Sequence, residues 1–227
     1  MNKAPLMSAV MNKARFPTSP LLAPLLLASL LLAACNGASS SSQGNEPAKG
    51  DLAGAAIGGP FTLTDQDGKT VKWSDFTGKY RLVYFGYTFC PDVCPNDMMK
   101  VAAVMRGFDK SDPAKAARIQ PILITVDPER DTPAVLKAYV GAFHPRLIGL
   151  TGPVDEIERV KKAFVVVAGK KGDQKAKQDY LVSHTRTPFL FGPDGKPIAL
   201  VPVDDTATPE DEASPAAMQA FLDQWVK

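Results

Sequence analysis

The sequence predicts an α/β domain built around a central sheet, and three observations carry that reading. Residues 80–87 and 119–126 are apolar runs of strand length, read as mostly buried strands. Apolar residues recur at helical spacing after each of them, as at Met98, Val101, Met105 and Phe108. Two turn signals, Asp65-Gln66-Asp67-Gly68 and Gly192-Pro193-Asp194-Gly195, each separate a pair of short strand-like runs.

The elements follow in order. Residues 61–63 and 70–72 form a hairpin across the first turn, and Ser74-Asp75-Phe76 is a short turn or helix. The strand 80–87 leads into a helix over 94–108, and 119–126 is the next strand. Thr132 caps a helix that has Pro133 at its first position and runs to about residue 143. A short strand at 147–150 and a helix over 154–164 come next. Residues 165–167 and 180–182 read as the arms of a hairpin joined by a Lys-rich loop. Residues 189–191 and 198–201 flank the second turn. Ser214-Pro215 opens the last helix, over 216–226. Strand, helix, strand, helix, hairpin and final helix fit a thioredoxin-like fold with an inserted β-hairpin. Residues 204–214 are acidic and Pro-containing, a solvated surface loop.

Composition sets the outer bounds. The 227 residues are 45% hydrophobic and 22% charged, which excludes wholesale disorder and collagen-like repeats. Three Cys exclude a disulfide-dense miniprotein, and a single long apolar run excludes a multi-span membrane protein. The net charge of +2 is too small to suggest a nucleic-acid partner. Even that charge belongs to the leader. Without Lys3, Lys13 and Arg15, the 26 basic residues become 23 against 24 acidic ones, a net of −1.

The N-terminus reads as an address. Lys13 and Arg15 precede an apolar stretch over 21–34, too short and too early for an ordinary spanning helix. It ends in Leu32-Ala33-Ala34-Cys35, which resembles a bacterial lipoprotein signal, in which the Cys is lipidated and becomes the first mature residue. Met11-Asn12-Lys13-Ala14 repeats Met1-Asn2-Lys3-Ala4, so Met11 is an alternative start. Three segments are expected: a signal peptide over 1–34, a flexible Ser/Gly-rich tether over 35–57, and one folded domain over 58–227. Two acyl chains on Cys35 would hold the tether stably to a membrane.

Two cysteines then remain for chemistry. Cys90-Pro91-Asp92-Val93-Cys94-Pro95 lies between a buried strand and a helix, where backbone N–H groups and the helix dipole favour thiolate. Four-residue spacing brings both sulfurs to one side of a helical turn. A structural disulfide, a soft-metal site and a thiol-exchange pair all fit that pattern. Of the two histidines, His144 stands at a helix end before Pro145 and reads as a capping or surface residue. His184 follows an apolar strand; a lone histidine there is first a hydrogen-bonded structural residue. With two thiolates it would complete a Cys₂His set. Thiolates favour Cu(I), the three together can also hold Cu(II), and zinc would want a fourth ligand.

Four ordered motifs make the pattern specific. They are Gly86-Tyr87-Thr88-Phe89-Cys90-Pro91-Asp92-Val93-Cys94-Pro95; Val126-Asp127-Pro128-Glu129-Arg130-Asp131-Thr132; Phe143-His144-Pro145 with Gly149-Leu150-Thr151-Gly152; and His184 ahead of Gly192-Pro193-Asp194-Gly195. In this order, over roughly residues 61–203, the chain resembles the Sco/SenC family of membrane-tethered, thioredoxin-fold copper proteins. The resemblance implies one copper ion per domain, as Cu(I) or Cu(II), held by Cys90, Cys94 and His184. It implies a structural or supporting role for Asp127. It also implies service in assembling the copper A centre of cytochrome c oxidase, with that oxidase subunit as partner. Other periplasmic copper or thiol-redox proteins are further candidate partners, and the place implied is the periplasmic side of a bacterial cell membrane. Pro188 replaces the apolar residue usual in the family and stands near where thioredoxins carry the cis-proline that faces their dithiol. Two competing activities need only the Cys90–Cys94 pair: a thiol–disulfide reductase that keeps oxidase copper-site cysteines reduced, and, by fold analogy, a peroxidase or redox sensor. Lys170, Lys171, Lys175 and Lys177 crowd the loop before His184, either as a solvated loop or as a docking surface for an acidic partner.

Overall fold

The computed structural model describes residues 52–172, 180–203 and 214–227. The expected leader, Cys35, Lys175, Lys177 and the acidic segment 204–213 lie outside the described residues.

Seven strands form one sheet: β1 (Thr62–Asp65), β2 (Thr70–Lys72), β3 (Tyr80–Gly86), β4 (Ile119–Thr125), β5 (Ile148–Thr151), β8 (Phe189–Phe191) and β9 (Pro197–Leu200). Between β5 and β8 the chain inserts a separate two-stranded ribbon, β6 (Ala168–Gly172) and β7 (Tyr180–His184). The large sheet runs β2-β1-β5-β4-β3-β8-β9. Its centre is parallel, with β3 against β4 and β4 against β5, and the flanking hairpins are antiparallel. Every residue of β3 and β4 is buried, as expected of parallel strands covered on both faces.

Five helices cover the sheet: α1 (Val93–Ser111), α2 (Pro113–Arg118), α3 (Pro133–Gly141), α4 (Val154–Ala163) and α5 (Pro215–Trp225). The Thr132 side chain caps α3 by accepting from Val135 N–H, with Pro133 in the first turn. α5 starts the same way, with Ser214 accepting from Ala217 N–H. Beneath α4, Trp73, Phe85, Phe164, Phe189 and Phe191 meet mostly edge to face, with centroids 5.1–6.3 Å apart. Beyond simple burial, each such contact adds roughly 0.5–1.5 kcal/mol.

The structure corrects three expectations about local structure. First, residues 165–167 are not a hairpin arm; the arm is β6, three residues later. Val166 N–H bonds the Lys161 carbonyl and Val165 N–H the Lys162 carbonyl, which closes α4 in a left-handed C-terminal turn. Val165 takes a φ of 56° there, a conformation that usually calls for glycine and is hidden in a run of three valines. Second, α2 was not expected. Its signal was present all the same: Asp112 accepts from Lys115 N–H, and Pro113 follows it. Third, part of the chain assigned to the tether runs along the domain. Leu52 N–H bonds Ile198 O, and Leu52 and Ile57 pack on the core.

Candidate metal centre

Cys90 and Cys94 lie just beyond the C-terminal end of β3, and Cys94 is in the first turn of α1. Both Pro91 and Pro95 are tolerated because neither has to donate to a helix at that point. The two thiols are not joined in a disulfide. Cys94 is fully buried and Cys90 is half-buried, with Cys94 N–H directed at Cys90 Sγ (3.4 Å). Burial pushes the Cys94 thiol up to about 12. Gly86 makes this approach of backbone and sulfur possible: a Cβ there would stand 2.6 Å from the Tyr84 ring and 3.3 Å from Cys94 Sγ.

His184 arrives from the ribbon. Alternation along β7 turns Tyr180 and Val182 inward and Leu181 and Ser183 outward, so His184 continues the inward series. Its Nε2 lies 3.3 Å from Cys94 Sγ, and its Nδ1 lies 2.9 Å from the Thr185 carbonyl oxygen. A carbonyl can only accept, so Nδ1 carries the proton and Nε2 turns its lone pair towards the sulfur. Burial lowers the His184 pKa and keeps the ring neutral near pH 7. The rings of Tyr84 and Tyr87 stand nearly perpendicular to the imidazole, at 6.3 and 5.9 Å.

Around these three side chains lies a set of buried acids. Asp97, one turn along α1 from Cys94, accepts from Tyr84 Oη (2.8 Å) and from Arg186 Nε (3.2 Å) and Nη2 (2.8 Å). It thereby ties the segment just after His184 to the helix that carries Cys94. Asp131 accepts from Thr88 N–H (3.1 Å), Thr88 Oγ1 (2.6 Å) and Thr125 Oγ1 (2.6 Å), fastening the loop before Cys90 to the end of β4. Desolvation raises the Asp131 pKa. Asp127 accepts from Tyr180 Oη (2.7 Å) and Arg130 Nε (2.5 Å). It supports the ribbon, as Tyr87 does by accepting from Val182 N–H at its hydroxyl (3.1 Å). Asp127 reaches the ribbon through Tyr180. Asp97, Asp131 and Arg186 were not singled out from the sequence. Their one signal there is proximity, since Asp97 stands three residues after Cys94, Arg186 two after His184, and Asp131 within the Val126–Thr132 motif.

Two other expectations change. His144 is neither exposed nor a cap. It is buried, its Nδ1 accepts from Arg146 N–H (3.2 Å), and its Nε2 faces Asp109 (3.0 Å), far from the thiols in role. Lys170 and Lys171 are exposed as expected but stand on β6 rather than in a loop, and Lys170 pairs with Glu129 and lies over the Tyr180 ring (4.6 Å).

Among the described residues, no three His, Cys, Asp or Glu side chains already form a finished metal cage. What exists is a chain of pairs, Cys90 to Cys94 and Cys94 to His184. Two soft thiols and one imidazole with its lone pair turned inward match the preferences of copper, and they fall short of the four ligands of structural zinc. The donor set fits copper.

Fold and site together define a thioredoxin-like domain with a Cys₂His constellation at the end of its central strand. Comparison with known proteins specifies this further. The SCO1/SenC family profile matches residues 49–218, and the chain belongs to that family. Yeast (Saccharomyces cerevisiae) Protein SCO2, mitochondrial, is 43% identical over 141 residues, covering 62% of this chain and 46% of that protein. This chain spans about half the length of the curated relatives it matches. The copper-bound structure of Bradyrhizobium japonicum ScoI is 38% identical with a TM-score of 0.64, covering 75% of this chain and 99% of that one. Copper-bound yeast Sco1 is 32% identical with a TM-score of 0.65, covering 75% and 88%.

Proposed function

We propose that the chain is a copper metallochaperone that carries one copper ion on Cys90, Cys94 and His184. Its recipient is the copper A centre of cytochrome c oxidase, the destination implied by the family resemblance. The observation that carries this reading is the 3.3 Å approach of His184 Nε2 to Cys94 Sγ, with the Nδ1 proton committed to Thr185. Copper-bound relatives of the same fold support it. Transfer proceeds by stepwise exchange of ligands with a partner that offers its own thiolates. Because the Cys94 thiol has to lose its proton to bind, affinity falls as pH drops. A Cys90–Cys94 disulfide removes two of the three donors, so redox state gates delivery. The working place is the periplasmic side of a bacterial cell membrane, with lipidated Cys35 as anchor; the run Leu32-Ala33-Ala34-Cys35 supports that placement.

One arrangement favours the second reading, a thiol–disulfide reductase. Cys90 is accessible and Cys94 is buried behind it, the layout of an attacking and a resolving sulfur. In that reaction Cys90 displaces one sulfur of a partner disulfide. Cys94 then displaces the other, leaving a Cys90–Cys94 disulfide and a reduced partner.

Titration of the reduced chain with Cu(I) separates the two. The metallochaperone reading expects one ion per chain and its loss in Cys90→Ser or Cys94→Ser. It also expects His184→Ala to fail in oxidase maturation as a cysteine variant does. Full maturation by His184→Ala would transfer the activity to the thiols alone.

A further inference from the structure

A second site lies at the other end of β3. Arg81 is 1% exposed, yet among the described residues no carboxylate is hydrogen-bonded to it. Its Nη1 makes one long bond to the Gly192 carbonyl (3.4 Å), and its buried Nε has no hydrogen-bond partner. The guanidinium lies over Trp73, 4.3 Å from the ring centroid. On the other side the Gly192–Gly195 turn closes over it. Gly195 has a φ of 82°, and a Cβ there would come within 2.6 Å of Arg81 Nη1 and 3.0 Å of Trp73 Nε1. A buried cation with so few acceptors is costly unless a counter-charge is brought to it.

Arg81 lines a cavity of about 350 Å³ together with Thr62, Lys72, Ser74, Thr77 and Asp194. Of the lining residues two are cations, Lys72 and Arg81, and one is an anion, Asp194, which accepts from Lys196 N–H (3.1 Å) and pairs with Lys196 Nζ (3.3 Å); at the rim Asp75 accepts from Lys72 N–H (2.8 Å), and Glu156, paired with Arg159, accepts from Thr62 N–H (3.5 Å). Asp194 is close enough to act on Arg81 electrostatically, but no hydrogen bond joins them. The Ser74 and Thr77 hydroxyls sit on the same wall. Volume is ample, since one water needs only about 10–15 Å³ of such space.

We infer that this cavity binds a small oxyanion, a carboxylate or a phosphate group, with Arg81 as its central donor and Lys72 at its rim. A planar guanidinium suits either anion bidentately. From Arg81 to the end of β3 is roughly 17 Å at 3.3 Å per residue. The site is therefore separate from Cys90 and Cys94, and it stands or falls independently of the copper reading.

The test uses the full chain with Trp225→Phe, which leaves Trp73 as the sole tryptophan and reporter. Sodium phosphate and sodium acetate are titrated separately at constant ionic strength held with chloride, following Trp73 fluorescence and the melting temperature. The inference expects a saturable change and a higher melting temperature with at least one of the two, and which one responds identifies the anion. Arg81→Gln should weaken binding roughly tenfold or more, as loss of a charge-assisted bond does. Lys72→Gln, at an exposed residue, should weaken it several-fold and keeps the test valid if Arg81→Gln does not fold. No saturable response to either anion, or an undiminished response in Lys72→Gln, would overturn the inference.

Discussion

The two halves of the metal centre are built differently. The thiol half stands at the end of the central sheet: Cys90 is in the loop after β3, a strand buried along its whole length and paired on both sides, and Cys94 is in the first turn of α1. The imidazole half stands on a two-stranded ribbon outside that sheet. Side-chain bonds hold the ribbon in place: Tyr87 to Val182, Tyr180 to Asp127, and Arg186 to Asp97. The sheet and α1 carry the sulfurs, with Asp131 fastening the loop before Cys90 to the end of β4, whereas the nitrogen depends on side-chain contacts to the ribbon. On the copper reading proposed above, the thiols would set whether metal binds, and the ribbon how tightly it is kept and how readily it is passed on.

The comparison breaks most severely if the scaffold is emptied. Phe164 is fully buried beneath the sheet among Phe85, Trp73, Phe189 and Phe191. Phe164→Ala should cost about 3–5 kcal/mol in urea unfolding and take both halves of the site with it. Cutting the clamp should be gentler and one-sided. Arg186→Met leaves the thiols on their scaffold, so copper stoichiometry should stay at one while affinity falls roughly tenfold, as for loss of a hydrogen bond to a charged group. Equal loss of stoichiometry and affinity would show that the two halves are not separable.

The sequence made the thiol half legible and the ribbon half less so, for physical reasons. The Cys-x-x-x-Cys spacing, the buried strand before it and the Thr132-Pro133 cap are local signals that burial does not rewrite. Asp97, Asp131 and Arg186 act through partners up to 89 residues away, and no local pattern announces such pairings. The hairpin arm was misplaced because three consecutive valines carry strong strand propensity, while tertiary packing asks Val165 to end a helix. That misfit can be measured. Val165 is exposed, so Val165→Gly relieves a strained β-branched residue without opening a cavity and should stabilise the domain by about 0.5–1 kcal/mol.

The smallest effect concerns pH in the metal-free chain. The buried Cys94 thiol stays protonated up to about 12 when folded and ionises near its ordinary value of 9.0 when unfolded. Its contribution to stability is thus fully present below pH 9.0 and is lost as pH rises towards 12. His184 has the opposite sense, because its folded pKa is lowered from 6.5. Its contribution is present above pH 6.5 and is lost as pH falls through the folded value. Urea unfolding at pH 5.5, 7.5 and 10 should give the highest stability at the middle value, and Cys94→Ser should flatten only the alkaline side.

X-ray absorption spectroscopy of the Cu(I)-loaded, reduced chain, beside His184→Ala, tests the division between sheet-held sulfurs and ribbon-held nitrogen most directly. The native chain should show two sulfur ligands and one imidazole nitrogen, and the variant two sulfurs without the imidazole. A spectrum unchanged by His184→Ala, or one with a single sulfur, would contradict it.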